Sequence, residues 1–233
     1  MKKIFIDVGH GGKDTGAVAN NVIERDINLI VSLEIEKLLK NNDREFQVML
    51  SRRDNNTYLS LTERTDMANK WGADLFISVH HNAATNSQAK GSEVIHTIHT
   101  DTSLGDEFAT MLLVEFSQLG TVRNAFSKAS TKYPGTDYYS VIKNTNMTAV
   151  IGEYAFLTNI EDAERVNSLE DLQKEARAYY TAIMRFYKVK FVTDTVDWES
   201  SYKIELEKRK ALELKLERIK TMLLECIKTM LNE

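Results

Sequence analysis

Apolar residues at Ile23, Ile27, Val31, Ile35 and Leu38 recur at helical spacing through a stretch without glycine or proline, and predict an amphipathic helix over Glu24–Leu39. Before it, Lys3–Val8 is rich in β-formers and runs into the loop GHGGKDTG, so a strand that ends in a tight turn is expected there. A second strand is expected at Gln47–Ser51. Ser60 and Glu63, three residues apart at the head of a stretch that carries Leu61, Arg64, Ala68 and Trp71, read as a capping box that opens a helix. Asp74–His80 is almost continuously apolar with β-branched residues, the pattern of a strand covered on both faces. Further along, the pattern predicts a weaker strand at Ser92–Ile98, a helix at Asp106–Leu119 and another buried strand at Thr148–Gly152. A last helix, Leu169–Val189, carries Leu172, Ala176, Tyr179, Ile183 and Phe186 on one side. Val122–Tyr139 mixes Asn, Ser, Lys, Pro and Gly and is expected to be a long surface loop. Strands alternating with helices predict an α/β fold: a twisted, mostly parallel sheet flanked by helices, with its active site at the carboxyl ends of the strands. His10, His80 and Glu153 all fall at such ends.

The tail follows a different period. From Trp198 one heptad frame reads Trp198, Tyr202, Glu205, Arg209, Leu212, Leu216, Ile219, Leu223, Cys226 and Met230, with Lys, Arg and Glu between them. Apolar seam positions from Leu212 onward predict a coiled-coil-like helix at residues 198–233, joined by a linker at 190–197 to a catalytic domain at 1–189. Homo-oligomerisation through this helix is expected; an amphipathic helix folded back on the domain, or one that attaches the chain to its target, is the alternative.

Composition narrows the function. The chain has 233 residues and a net charge of −4, and no stretch forms the basic stripe that nucleic-acid binding requires. No apolar run approaches the roughly 20 residues that span a bilayer, so no membrane span is expected, and Ile4–Ile6 is too short for the apolar region of a cleaved leader. The single cysteine, Cys226, excludes an internal disulfide and a cysteine-rich zinc site. Any metal must be held by histidine and carboxylate. The five histidines are His10, His80, His81, His96 and His99. One at the mouth of a glycine loop and one at the end of a buried strand can converge above a sheet, and a hydrolytic zinc site commonly takes three protein ligands drawn from His and carboxylate, a water in the fourth position, and a further carboxylate to accept a proton from that water. Surface or hydrogen-bonded histidines are the plain alternative. His96 and His99 are expected at the surface. His80 and His81 point to opposite faces of their strand, so only one of them can reach a metal.

The segment IFIDVGHGGKDTGA, then Glu24, ISVHHNA, GSEV and AVIGEYAFLTN, in that order and spacing, resembles the zinc-dependent N-acetylmuramoyl-L-alanine amidases of type 3. The resemblance runs from Lys3 to about Val189, and LTERTDMANKWGADLFISVHHNA adds an Arg-containing helix leading into a metal-bearing strand. It implies that His10, Glu24 and His80 are the ligands of Zn2+, that Glu153 is the catalytic carboxylate, and that peptidoglycan is the substrate. His81, Asn82 and Glu93 are candidates for substrate contact or for support of the ligands. His81 is a departure, since the family usually has a small or apolar residue there; it either faces substrate or is a hydrogen-bonded neighbour. The setting implied is a phage or prophage endolysin, made in the cytoplasm and released through a holin. A bacterial autolysin or spore lysin, or a zinc peptidase cutting within the stem peptide, is the alternative.

Overall fold

The computed structural model describes residues 1–189 except 42, 43 and 102, and the isolated positions 207, 215, 218 and 219. The expected linker and coiled-coil tail lie outside the described residues. In chain order the elements are β1 (Lys2–Val8), β2 (Val18–Ala19), β3 (Val22–Ile23), α1 (Glu24–Lys40), β4 (Phe46–Leu50), α2 (Leu61–Trp71) and β5 (Leu75–Asn82). There follow β6 (Ser92–His96), α3 (Gly105–Ser117), β7 (Val122–Ser127), α4 (Ser140–Lys143), β8 (Thr148–Phe156), α5 (Ile160–Glu164) and α6 (Leu169–Phe186). Six strands form one sheet in the order β4-β1-β5-β8-β6-β7, while β2 and β3 make a small antiparallel ribbon. The four strands from β4 to β8 are parallel; β6 runs antiparallel to β8, and β7 parallel to β6.

Alternation along the central strands sorts their side chains into two cores of unequal size. Ile4, Ile6 and Val8 of β1, Ile77 and Val79 of β5, and Val150 and Tyr154 of β8 join the larger core with residues of α1, α3 and α6. Phe5, Phe76, Ala149 and Ile151 face the other way and pack with Ala68 of α2 and Val141 and Ile142 of α4. Phe5 and Phe76 stack at 5.5 Å on adjacent strands. At roughly 25 cal/mol per Å2 of apolar surface removed from water, the larger core dominates the stabilisation, and the smaller face is left free to carry chemistry.

Local signals explain the helix ends. The Ser60 hydroxyl accepts from the Glu63 amide while the Glu63 carboxylate accepts from the Ser60 amide, and Gly72 closes α2 in the left-handed conformation at φ 68°. Two expectations need correction. The segment expected to be one loop from Val122 to Tyr139 opens with β7, an edge strand whose residues are mostly half-exposed or exposed and so lack an apolar signature. His96, expected at the surface, is 2% exposed at the end of β6, its Nδ1 2.8 Å from the Thr97 carbonyl oxygen; His99 is exposed. Among the described residues no helix is long and apolar enough to cross a membrane.

Candidate active site

Two of the site's side chains, His80 and Glu153, stand on the sheet face that carries the smaller core. His10 follows the end of β1, Glu24 is the first residue of α1, and His80 lies near the end of β5. Each offers a ligand atom, and these atoms lie within 4.8 Å of one another. His10 Nε2 is 3.0 Å from Glu24 Oε2, and His80 Nδ1 is 2.9 Å from Glu24 Oε1. The Ala17 amide donates to Oε2 at 2.9 Å and the His81 amide to Oε1 at 3.1 Å. Burial opposes the charge on Glu24, but the two imidazoles outweigh it and hold the carboxyl far below the usual carboxylate range. Burial also lowers the pKa of His10, yet Glu24 and Asp14 outweigh it and the net shift is upward. A buried carboxylate between two imidazoles is a donor set suited to a borderline-soft divalent cation.

Backbone geometry makes room for this cluster. A side chain at Gly16, where φ is +63°, would place its Cβ 2.4 Å from Glu24 Oε2 and 2.5 Å from the His10 ring, and at Gly9 it would fall 2.6 Å from His80 Nε2. His10 itself is held at φ 61°, a costly conformation for a non-glycine residue. Two buried arginines keep it there. Arg52 Nε donates to the His10 carbonyl at 2.8 Å and its Nη2 to the Gly9 carbonyl at 2.8 Å. Arg64 Nη2 donates to the same His10 carbonyl at 2.8 Å, while its Nη1 reaches Val8 O at 2.9 Å and Asp7 Oδ1 at 3.1 Å. Sequence reading flagged the helix of Arg64 but missed Arg52, which has no motif of its own. Gly16→Ala is expected to destabilise the fold by about 1–2 kcal/mol through its backbone conformation alone and to displace the ligands as well. Thermal denaturation together with metal content checks this.

Beside the cluster, register sets a row of three side chains across three strands: His80 pairs with Glu153 and Glu153 with Glu93. Adjacent strands are about 4.8 Å apart, which places Glu153 next to both. Glu153 Oε2 is buried without a hydrogen-bond partner. Burial pushes its pKa up to about 8; His80 pulls it down, while Glu24 and Glu93 add to the rise. Glu93 accepts from Asn82 Nδ2 at 3.0 Å and pairs with Arg123 Nε at 2.7 Å. Arg123 also lies over the Phe156 ring, 5.4 Å from its centroid. Partly buried Tyr139 completes this side, its phenol pKa raised by burial and by the charges of Glu153 and Glu93. Arg123 and Tyr139 fall in the segment expected to be loop, and nothing in their spacing marks them.

The structure brings His10, Glu24, His80, Glu153, Glu93 and Asn82 together and turns His81 away. His81 points into the larger core with its side chain fully buried, its Nδ1 2.8 Å from Asn28 Oδ1 and its Nε2 3.1 Å from Glu175 Oε2. Of the two roles expected for it, contact with substrate is overturned, because the next residue of a strand faces the opposite side from His80.

Known proteins share this arrangement of elements. The catalytic domain of CwlV, an N-acetylmuramoyl-L-alanine amidase from Bacillus (Paenibacillus) polymyxa var. colistinus, superposes with a TM-score of 0.71 at 29% identity, covering 82% of this chain and 100% of that one. N-acetylmuramoyl-L-alanine amidase CwlM of Bacillus licheniformis is 32% identical over 189 residues, 81% of this chain and 70% of CwlM. The endolysin of Bacillus phage SPP1 is 31% identical over 195 residues, 81% of this chain and 67% of that protein. A family model described as N-acetylmuramoyl-L-alanine amidase matches residues 4–185, and with most of its length so matched the chain belongs to that amidase family.

Proposed function

We propose that the chain acts on peptidoglycan as a zinc-dependent N-acetylmuramoyl-L-alanine amidase, with His10, Glu24 and His80 holding Zn2+ and Glu153 moving the proton. The observation that carries this is the convergence of three ligand atoms beside a buried carboxylate oxygen that has no partner of its own. Bound there, Zn2+ would act as a Lewis acid toward a water molecule and the scissile carbonyl, and its charge would lower the Glu153 pKa toward neutrality. Glu153 accepts the proton of the attacking water as the new C–O bond forms at the lactyl carbonyl of N-acetylmuramic acid. It then returns that proton to the alanine nitrogen as the C–N bond breaks, so the amine leaves neutral. Glu93, tied to Asn82 and Arg123, stands beside Glu153, and its charge favours the protonated form of Glu153 between the two transfers.

Mass spectrometry of digested peptidoglycan tests the reaction. The expected products are stem peptides with a free L-alanine amino terminus and glycan with a free lactyl carboxyl. New termini within the stem peptide would instead make the chain a peptidase. A lysin role fits both kinds of relative, the bacterial amidase and the phage endolysin. Release through a holin belongs to the endolysin setting, and lysis of cells expressing the chain only when a holin is co-expressed is the expected result.

The tail is proposed to associate copies of the chain, on the strength of its apolar heptad seam from Leu212 to Met230. Linked catalytic domains would gain avidity on a continuous wall. Analytical ultracentrifugation is expected to show an oligomer for the full chain and a monomer after truncation at Val189; monomers in both would end the idea.

A further inference from the structure

We infer that His81 and Glu175 are positioning residues for Glu24, acting through the side chain of Asn28, and that they thereby set how tightly the site holds zinc. The inference rests on the ligand assignment proposed above.

Asn28 lies one helical turn after Glu24 on α1, so the two side chains share a face. Its Nδ2 lies 3.3 Å from Glu24 Oε1 and 3.4 Å from the Gly9 carbonyl oxygen, donating to both. A primary amide has a donor end and an acceptor end, and its role depends on which way it is turned. Reversed, Asn28 would set its oxygen against a carboxylate oxygen and a carbonyl oxygen, with no hydrogen between them. His81 prevents the reversal. Because Asn28 Nδ2 is spent on Glu24 and Gly9, its Oδ1 is left to accept from His81 Nδ1 at 2.8 Å, and an imidazole with its hydrogen on Nδ1 opposes the reversed amide. That leaves Nε2 facing Glu175 Oε2 at 3.1 Å, a contact that needs a single hydrogen between them. The contacts of Glu175, His81, Asn28 and Glu24 thus link α6 through β5 to α1. His81 holds Glu24 a second time through its backbone amide, 3.1 Å from the same Oε1.

Packing alone gives no reason for such a chain. Both His81 and Glu175 have side chains 0% exposed, and Glu175 Oε1 is buried without a partner. An apolar pair of similar volume would fill this core without the desolvation penalty and at equal or greater stability. Control of the Asn28 amide, and so of the Glu24 oxygen it contacts, accounts for the cost. Residues that support metal ligands in this way typically change metal affinity by about 10–100-fold when removed.

The test measures zinc affinity of the full chain by competition with a chromophoric chelator, with thermal denaturation as a separate readout. His81→Leu and Glu175→Leu are each expected to weaken zinc binding by about 10–100-fold, whereas Glu175→Gln, whose amide can still pair with Nε2, stays close to the unaltered chain. Combining His81→Leu with Asn28→Ala should weaken binding no more than Asn28→Ala alone, because both act on one chain of contacts. Unchanged zinc affinity in the two leucine variants, whatever their melting temperatures, overturns the inference, as does a double variant that loses the sum of both effects. If His81→Leu does not fold, the contrast between Glu175→Leu and Glu175→Gln decides in the same way. Failure of the unaltered chain to bind zinc overturns the ligand assignment itself, an outcome separate from any of these.

Discussion

Glu153→Gln is expected to lower peptidoglycan hydrolysis by about 10²–10⁴-fold, the range that a positioned acid–base group contributes, while zinc content and fold stay as they are. Glutamine matches the shape of glutamate but neither accepts nor returns a proton at neutral pH. Wall turbidity assays measure the loss, and a variant within a few-fold of the unaltered chain would remove Glu153 from the mechanism. The same variant has a second signature in the metal-free protein. Burial raises the folded-state pKa of Glu153 from 4.5 to about 8, so folding favours its protonated form. A group of that kind contributes stability that is fully present below the unfolded value and is lost as pH rises through the folded one. Metal-free Glu153→Gln should therefore gain in melting temperature relative to the unaltered chain as pH rises from 5 toward 9. A difference that stays flat across that range would mean Glu153 is not desolvated as its surroundings imply.

Glu24→Ala is expected to abolish zinc retention, with a loss of affinity larger than the roughly 10–100-fold that removing a supporting residue costs, and His80→Ala should do the same. Glu24 contacts both imidazoles, so its removal breaks the cluster at its centre. Metal analysis of the purified variants and chelator treatment of the unaltered chain report the effect directly. Retention of one zinc per chain in Glu24→Ala would show that another residue completes the site. The metal-free fold should survive His80→Ala, because Arg52 and Arg64 hold the His10 loop through carbonyl oxygens without using the ligands' side chains.

Much of this was legible in the chain. The apolar period from Ile23 to Leu38 marked α1, and the Ser60–Glu63 pair marked the start of α2, because these signals are local. The motifs around His10, Glu24, His80 and Glu153 marked the site. What stayed hidden depends on tertiary contact. β7 has polar and half-exposed residues because it borders solvent at the sheet edge, so its sequence resembles a loop. Glu175 on an otherwise amphipathic helix looks like a solvent-facing charge, and only the position of His81 across the core shows why it is buried. Arg52 follows a strand and carries no pattern of its own; beyond its local contacts to Asp54 and Asn55 it reaches backbone atoms 27 to 44 residues away, which no sequence window reveals.

The unequal covering of the sheet bears on which layer of the domain gives way first. On the face that carries His80 and Glu153, the smaller core draws on α2 and the single turn of α4, against three long helices on the other face. Elements that bury less apolar surface open at lower free-energy cost, so the layer beside the site breathes while the three-helix layer stays closed.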